Sequence, residues 1–254
     1  MTIKEIFPNP TVKKVIFQIR FPNLFYIENK IGELQMKIME VFSKSSLIFR
    51  KRLLFADIGP KAKIEDFDLD KIKGAKIWKF ESEKDFELNI LTDSLDITSK
   101  HHKTYNLEGG DKFRDIIEYV LEKFFEIIPI PIVKRIGLRY IDECPIPSKD
   151  NSTFKSYYNS VFPLERFDLA RANAMNFRTV VKIREFFLIY AESLQKQENE
   201  YKLILDFDGF ANNISPEKCL PVLDELHEII NEEYTKTIRD PVYEFMRQPK
   251  KSGE

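Results

Sequence analysis

Alternating apolar and polar positions predict the first β-strand. In "VKKVIFQIRF", residues 12–21, every second side chain from Val15 onward is apolar, and most of the side chains between them are polar. A strand points successive side chains to opposite faces, so this pattern is typical of a strand with one buried face. The buried face is expected to hold Val15, Phe17, Ile19 and Phe21.

Three stretches instead carry apolar residues at helical spacing. They lie at 26–42, 108–128 and 215–238, and each predicts a long amphipathic helix. Shorter alternating runs predict strands between them, grouped at 76–100, at 129–143 and at 177–207. Strands come in runs and helices are few, so we predict an α+β fold of mostly antiparallel sheets with three long amphipathic helices.

Residues 142–175 interrupt this pattern with an irregular polar and aromatic stretch. We place a boundary there, which gives an N-terminal α+β subdomain at 1–145 and a C-terminal α+β subdomain at 146–247. The end of the chain, 248–254, is expected to be a disordered tail. A charged loop is expected at 57–74.

Composition indicates which class of protein this is, but it does not indicate an activity. The chain has 254 residues, 43% of them hydrophobic, and a net charge of -1, so the total charge does not favour nucleic acid or membrane. Cys144 and Cys219 match no metal-ligand spacing and are expected to be free, buried thiols. The N-terminus has no apolar core of a signal peptide and no run approaches 18 apolar residues, so we expect a cytoplasmic protein without a membrane partner.

The strand "RIGLRYID", residues 135–142, carries the most distinctive polar face. Arg135, Gly137 and Arg139 point one way, so two guanidiniums flank a gap. Arg20, on the first strand, is a further candidate. These three arginines are our candidate nucleic-acid or anion-binding residues, because arginine binds phosphate and carboxylate bidentately. Pairing with acidic neighbours is the alternative interpretation.

The strand "LILDFDGF", residues 203–210, supplies such acids. Asp206 and Asp208 fall on its polar face and could neutralise Arg135, Arg139 or Arg20. Two aspartates at a strand end could also hold Mg²⁺, which makes a metal-dependent nuclease an alternative function. The chain lacks the glycine-rich phosphate-binding motifs and a nucleophile motif, so we expect no cofactor, no bound metal and no catalytic residue.

The three histidines offer weaker signals. His101 and His102 follow a predicted strand, and we expect both on a surface loop. His227 lies beside apolar positions of the third helix, where packing is expected.

Aromatic and basic side chains alternate in the irregular stretch between residues 154 and 167. We single out Tyr157, Tyr158, Phe162 and Arg166 as a candidate partner interface, since tyrosine, phenylalanine and arginine are enriched at interfaces. Base stacking and plain packing against the core are the alternatives.

Four segments in this order resemble a sporadically distributed family of uncharacterised bacterial and archaeal proteins of about this length. The segments are "NPTVKKVIFQIRFP", "RIGLRYID", "LILDFDGF" and "LDELHEIINEEYTKTIRDPVYEFM". More weakly, the chain resembles the non-catalytic companion subunits of short prokaryotic Argonautes. The family resemblance carries over no active-site residues.

The resemblance implies a non-catalytic binding subunit of a prokaryotic antiviral defence system. Its partner would be the product of a neighbouring gene, Argonaute-like in one version, with RNA or DNA of a guide–target duplex as a further ligand. The alternatives are the metal-dependent nuclease using Asp206 and Asp208, and a small-ligand sensor with a pocket around Gly137.

Overall fold

The computed structural model describes residues 5–50, 75–197 and 200–249. Within these ranges the chain forms nine strands and five helices. Their order is β1 Val12–Arg20, α1 Ile27–Ile38, β2 Lys44–Arg50, β3 Ala75–Glu81, β4 Phe86–Ile90, β5 Ser94–Ser99, α2 Phe113–Ile127, β6 Val133–Pro145, α3 Asn151–Tyr157, β7 Met175–Ile183, β8 Phe186–Gln197, β9 Glu200–Ile214, α4 Cys219–Thr237 and α5 Asp240–Arg247. The predicted loop at 57–74 and residues 250–254 of the predicted tail lie outside the described residues.

The strands form a single antiparallel sheet in the order β2-β3-β4-β5-β1-β6-β9-β8-β7. The prediction of an α+β fold with antiparallel strands is therefore confirmed. β6 belongs to the predicted N-terminal subdomain and β9 to the C-terminal one, yet they pair over twelve positions. Both segments thus contribute to one sheet, and their division into subdomains stays a prediction.

Side-chain direction separates a covered face of the sheet from an open face. One cross-strand row consists of buried residues and glycine: Phe80, Leu88, Ile97, Phe17, Leu138, Gly209 and Leu188. The neighbouring row points the other way: Lys79, Asn89, Asp96, Gln18, Gly137, Phe210, Phe187 and Lys182. Because the helices contribute to the same core cluster as the first row, they cover that face, and the polar row lies on the open face.

The apolar stripes of the helices pack as the sequence predicts. Ile27, Ile31, Leu34 and Ile38 of α1 are all buried in the core cluster. The helices themselves are short, with 12 residues in α1, 15 in α2 and 19 in α4, so the prediction of three long helices is not supported. In α1 the helix ends at Ile38, and Phe42 reaches the core from beyond the turn that follows. None of the helices in the described ranges is long and apolar enough to cross a membrane.

Candidate functional site

The gap above Gly137 is filled by the side chain of Arg135. A Cβ placed on Gly137 would lie 2.5 Å from Nη1 of Arg135, so glycine is what lets the guanidinium lie there. Nη2 of Arg135 donates to both carboxylate oxygens of Asp208, at 2.8 and 2.9 Å, and the guanidinium lies 4.7 Å from the ring centre of Phe210. The predicted small-ligand pocket around Gly137 is therefore occupied by the protein itself.

Arg139 is paired in the same way on the neighbouring part of the open face. Its Nε and Nη2 donate to the two oxygens of Asp206, at 2.8 and 2.5 Å. Of the two interpretations that the sequence left open for Arg135 and Arg139, pairing with the aspartates of β9 is the one present in the structure.

These ion pairs also bear on the alternative of a metal-dependent nuclease. Both carboxylates of the proposed metal site, Asp206 and Asp208, accept hydrogen bonds from guanidinium groups. Over the described ranges, no group of three His, Cys, Asp or Glu side chains is arranged to hold a metal ion. A metal ion could bind Asp206 and Asp208 only after the ion pairs of these carboxylates with Arg139 and Arg135 had broken.

Arg20 is the third candidate for anion binding and is exposed. It lies directly across from Arg135 in the sheet, and its Nε donates to Oε1 of Gln18 at 2.8 Å. A role of Arg20, Arg135 and Arg139 in binding nucleic acid stays a prediction.

The candidate partner interface is divided between the interior and the surface. Tyr158 and Phe162 are buried, at 2% and 6% exposure, and both contact the ring of Phe154. Tyr157 is half-buried and Arg166 is exposed. Only the latter two are accessible to a partner, because packing inside the chain uses the other two rings.

The β7 edge, the outer side of Met175–Ile183, is a surface that the sequence analysis did not single out. β7 is the last strand of the sheet and pairs with β8 alone among the strands in the described ranges. Its backbone N–H and C=O groups on the outer side therefore lack a strand partner. Arg178 and Lys182 are exposed on the open face of this strand, with Val180, 52% exposed, between them.

A cavity of about 120 Å³ lies on the covered face, at the end of β6. We call it the β6 cavity. Its walls come from the chain before β1, the segment 102–107, β6, β9, α4 and α5. The side chains that line it include Thr11, His102, Tyr105, Tyr140, Asp142, Phe207, His227 and Tyr234.

On one wall of the β6 cavity, hydrogen bonds fix the side-chain carboxyl of Asp142. Oγ1 of Thr11 donates to Oδ1 of Asp142 at 2.8 Å and lies 2.6 Å from the hydroxyl oxygen of Tyr234. Asp142 is 4% exposed. Burial raises the pKa of this carboxyl to about 7, because removal from water disfavours its charged form.

The opposite wall contains two histidines, His227 of α4, where packing was expected, and His102, which was expected on the surface. The prediction that His102 lies on the surface is wrong: it is 7% exposed, with its ring edge-on to Phe113 and Tyr140. His227 stacks on Tyr105 at 4.0 Å between ring centres, and its Nδ1 lies 3.1 Å from the hydroxyl oxygen of Tyr140. Burial lowers the pKa of His102 to about 3 and that of His227 to about 4, so both imidazoles are neutral at pH 7.

One signal in the sequence pointed to this cavity. Asp142 follows Ile136, Leu138 and Tyr140 on the same face of the strand, which places an acid at a core position. A buried acid needs a hydrogen-bond partner, and Thr11 supplies it across 131 positions of sequence. The alternation could have identified Asp142, whereas nothing local identified His102.

Comparisons with protein-family models, with curated proteins and with solved structures find no match for this chain. The resemblance to the sporadically distributed prokaryotic family, and the weaker one to Argonaute companion subunits, therefore stay predictions.

Proposed function

We propose that the protein is a binding subunit that takes up an extended, acidic segment of a partner protein along the β7 edge. The observation that carries this proposal is the basic, exposed edge strand at the end of a nine-stranded sheet. An extended peptide that joins a sheet edge gains main-chain hydrogen bonds, and its alternating side chains then provide specificity.

The side chains of β7 define which segment would fit. Asn176, Arg178, Val180 and Lys182 alternate on the open face and are exposed. The opposite face of the strand carries Phe177, Thr179 and Ile183, which are half-buried, with Val181 exposed between them. A segment with acidic residues on one face and apolar residues on the other complements both faces, since cross-strand neighbours of opposite charge attract and apolar neighbours pack.

Two other occupants fit less well. Antiparallel pairing of two copies about Val180 would place Arg178 opposite Lys182, and like charges directly opposite destabilise a sheet. A nucleic-acid strand would satisfy the two cations, and its phosphates can accept from backbone N–H groups. The phosphates have no donors for the carbonyl groups of the edge and do not pack on the apolar face of β7.

Fluorescence anisotropy with a labelled peptide of alternating Glu and Val, as long as β7, tests the proposal. The peptide should bind, and a matched Lys–Val peptide should not. The double variant Arg178→Glu, Lys182→Glu should weaken binding at least tenfold and should favour the Lys–Val peptide instead. Arg20→Glu, a charge reversal on the open face away from the edge, is the control and should bind the Glu–Val peptide normally.

Equal binding of the two peptides, or no binding of either, would overturn the proposal. A labelled single-stranded oligonucleotide is the third arm. If it binds in a manner sensitive to the double variant while the Glu–Val peptide does not bind, the edge is a nucleic-acid site and the partner-segment proposal is wrong.

We further propose that this partner belongs to a prokaryotic defence system and is encoded by a neighbouring gene, Argonaute-like or otherwise. This setting is supported by the family resemblance of the four sequence segments and not by the β7 edge. It predicts that the tagged protein recovers the neighbouring gene product from native cells. Recovery of the protein alone would count against the setting and would leave the peptide-binding experiment to decide the β7 edge.

A further inference from the structure

We propose that the β6 cavity binds a small organic cation that carries an ammonium group. The proposal concerns a different face of the sheet from the β7 edge and does not depend on it. Three features of the cavity support it: a buried carboxyl with one oxygen that accepts no hydrogen bond from the described residues, aromatic walls, and a neutral imidazole in the lining.

The carboxyl of Asp142 has a free oxygen. Oδ1 accepts from Thr11, and among the described residues no donor to Oδ2 and no Lys or Arg ion partner of this carboxyl is found, so Oδ2 is left to the cavity. The side chain is more than nine-tenths buried and lines the cavity. A buried carboxylate is costly unless a positive group pairs with it, and a bound ammonium group would supply that charge.

The walls around this carboxyl are suited to a cation. Tyr105, Tyr140, Phe207 and Tyr234 all line the cavity with aromatic rings. Ring faces attract organic cations, and the attraction is strongest where water is excluded. Aromatic side chains would therefore surround the apolar part of the ligand while Asp142 binds its charge.

His102 supplies a third contact. Its imidazole is more than nine-tenths buried and lines the same cavity. A neutral imidazole has one acceptor nitrogen, which can receive an N–H of an ammonium group.

The volume of the cavity limits the size of the ligand. An apolar cavity of about 150 Å³ accepts benzene, and the β6 cavity measures about 120 Å³. Lys103 and Asn106 line it and are exposed, so a route to solvent lies beside them. The part of the ligand that enters is therefore small, and n-butylammonium is a suitable probe.

Isothermal titration calorimetry of the wild-type protein with three probes of similar shape tests whether the cavity selects a positively charged ligand. We expect n-butylammonium to bind at pH 8, and 1-butanol and butyrate to bind at least tenfold more weakly. Binding should weaken about tenfold between pH 8 and pH 6, as the carboxyl of Asp142 takes up a proton. The other titratable groups around it are Glu5, His102, Lys103, Tyr140, Cys144, Asp206, His227 and Tyr234.

Two variants of adjacent residues test whether the ammonium group binds at Asp142. Asp142→Asn should abolish the preference for the ammonium probe over butanol, together with the pH dependence. Glu143→Gln is the matched control, because Glu143 is the next residue of β6, points to the other face and contacts Lys202. It should bind n-butylammonium as the wild type does.

Several results would overturn the proposal. They are equal binding of the three probes by the wild type, no binding of n-butylammonium, or unchanged binding in Asp142→Asn. If Asp142→Asn does not fold, the three-probe comparison on the wild type decides alone. Binding of butyrate in preference would assign the cavity to anions, through Lys103, and would also reject the proposal.

Discussion

The guanidinium of Arg135 lies where a side chain on Gly137 would begin, two residues further along the same strand. The contact is tight, at 2.5 Å between Nη1 and the position of a Cβ. The guanidinium is also held from two sides, by the carboxylate of Asp208 and the ring of Phe210. The absence of a side chain at Gly137 and the position of Arg135 therefore depend on each other.

Gly137→Ala should lower the free energy of unfolding by about 1 kcal/mol. The added methyl displaces Arg135, which then loses a partly exposed ion pair and a cation–π contact. In an Arg135→Ala background the same change should have almost no effect. Urea denaturation of the four proteins in this double-mutant cycle measures the coupling. Equal losses in both backgrounds would show that Gly137 has another role.

A buried acid on β8 holds the irregular segment 160–162 against the sheet. Glu192 is fully buried and accepts hydrogen bonds from the hydroxyls of Ser160 and Tyr190 and from the backbone N–H of Val161 at 3.2 Å. Burial raises the pKa of this carboxyl, and the three donors oppose that shift. The same segment includes Phe162, which is buried in the core.

Glu192→Ala should therefore destabilise the protein by roughly 2–3 kcal/mol, because it leaves three donors without their acceptor. Gln195→Ala, at an exposed position of the same strand, is the control and should change stability by less than about 0.5 kcal/mol. Thermal or urea unfolding measures both. If Glu192→Ala lowers the free energy of unfolding as little as the control does, Glu192 does not anchor the 160–162 segment.

The β6 cavity predicts a pH dependence of stability with opposing contributions. His102 and His227 have folded-state pKa values of about 3 and about 4, below their ordinary value, so the unfolded chain takes up protons first as the pH falls. Both therefore reduce stability between about pH 6.5 and pH 4. Asp142 has the opposite sign: its folded-state pKa of about 7 lies above its ordinary value, so it favours the folded state as the pH falls below 7.

Two variants should separate these contributions. Between pH 6 and pH 4.5, Asp142→Asn should lose stability with falling pH more steeply than the wild type, by about 1.4 kcal/mol per pH unit. His102→Gln should lose stability with falling pH less steeply than the wild type, also by about 1.4 kcal/mol per pH unit. Urea titrations at several pH values give the slopes. Parallel curves for all three proteins would contradict the assignment of these pKa shifts.

Both cysteines should be unreactive in the folded protein. The prediction of free, buried thiols is confirmed for Cys144 and Cys219, and burial raises the pKa of each thiol. A thiol-specific chromogenic reagent attacks the thiolate, so it should react with neither thiol before unfolding and with both in denaturant. Rapid reaction of one thiol in native buffer would show local opening around it.

The sequence predicted the features that depend on neighbours in the chain. Alternation assigned Val15, Phe17 and Ile19 to the core because the strand repeat is local, and all three are fully buried. Periodicity also identified the buried stripes of α1 and α2. The pairing of Arg139 with Asp206 was among the alternatives, because opposite charges on the polar faces of two strands suggest a pair.

Features that depend on distant segments were beyond the sequence. His102 follows a strand and looks like a loop residue, but Phe113 of α2 and Tyr140 of β6 enclose it. The burial of Tyr158 likewise follows from its hydroxyl donating to the carbonyl of Pro145 and from its packing on Phe154. A local pattern indicates which side of an element is apolar, and the covering element must come from the tertiary structure.

The strand order also affects the chain while it is being synthesised. β1 pairs with β5, so β3, β4 and β5 have both of their strand partners and β1 has one of its two once Ser99 has been made. β6 then joins the other side of β1. The far side of β6 pairs with β9, which is the last of the nine described strands along the chain. A nascent chain that stalls between Pro145 and Glu200 therefore presents β6 as an unpaired edge in the middle of the future sheet, where it can pair with another chain. Synthesis of β9 is therefore the step that covers this edge.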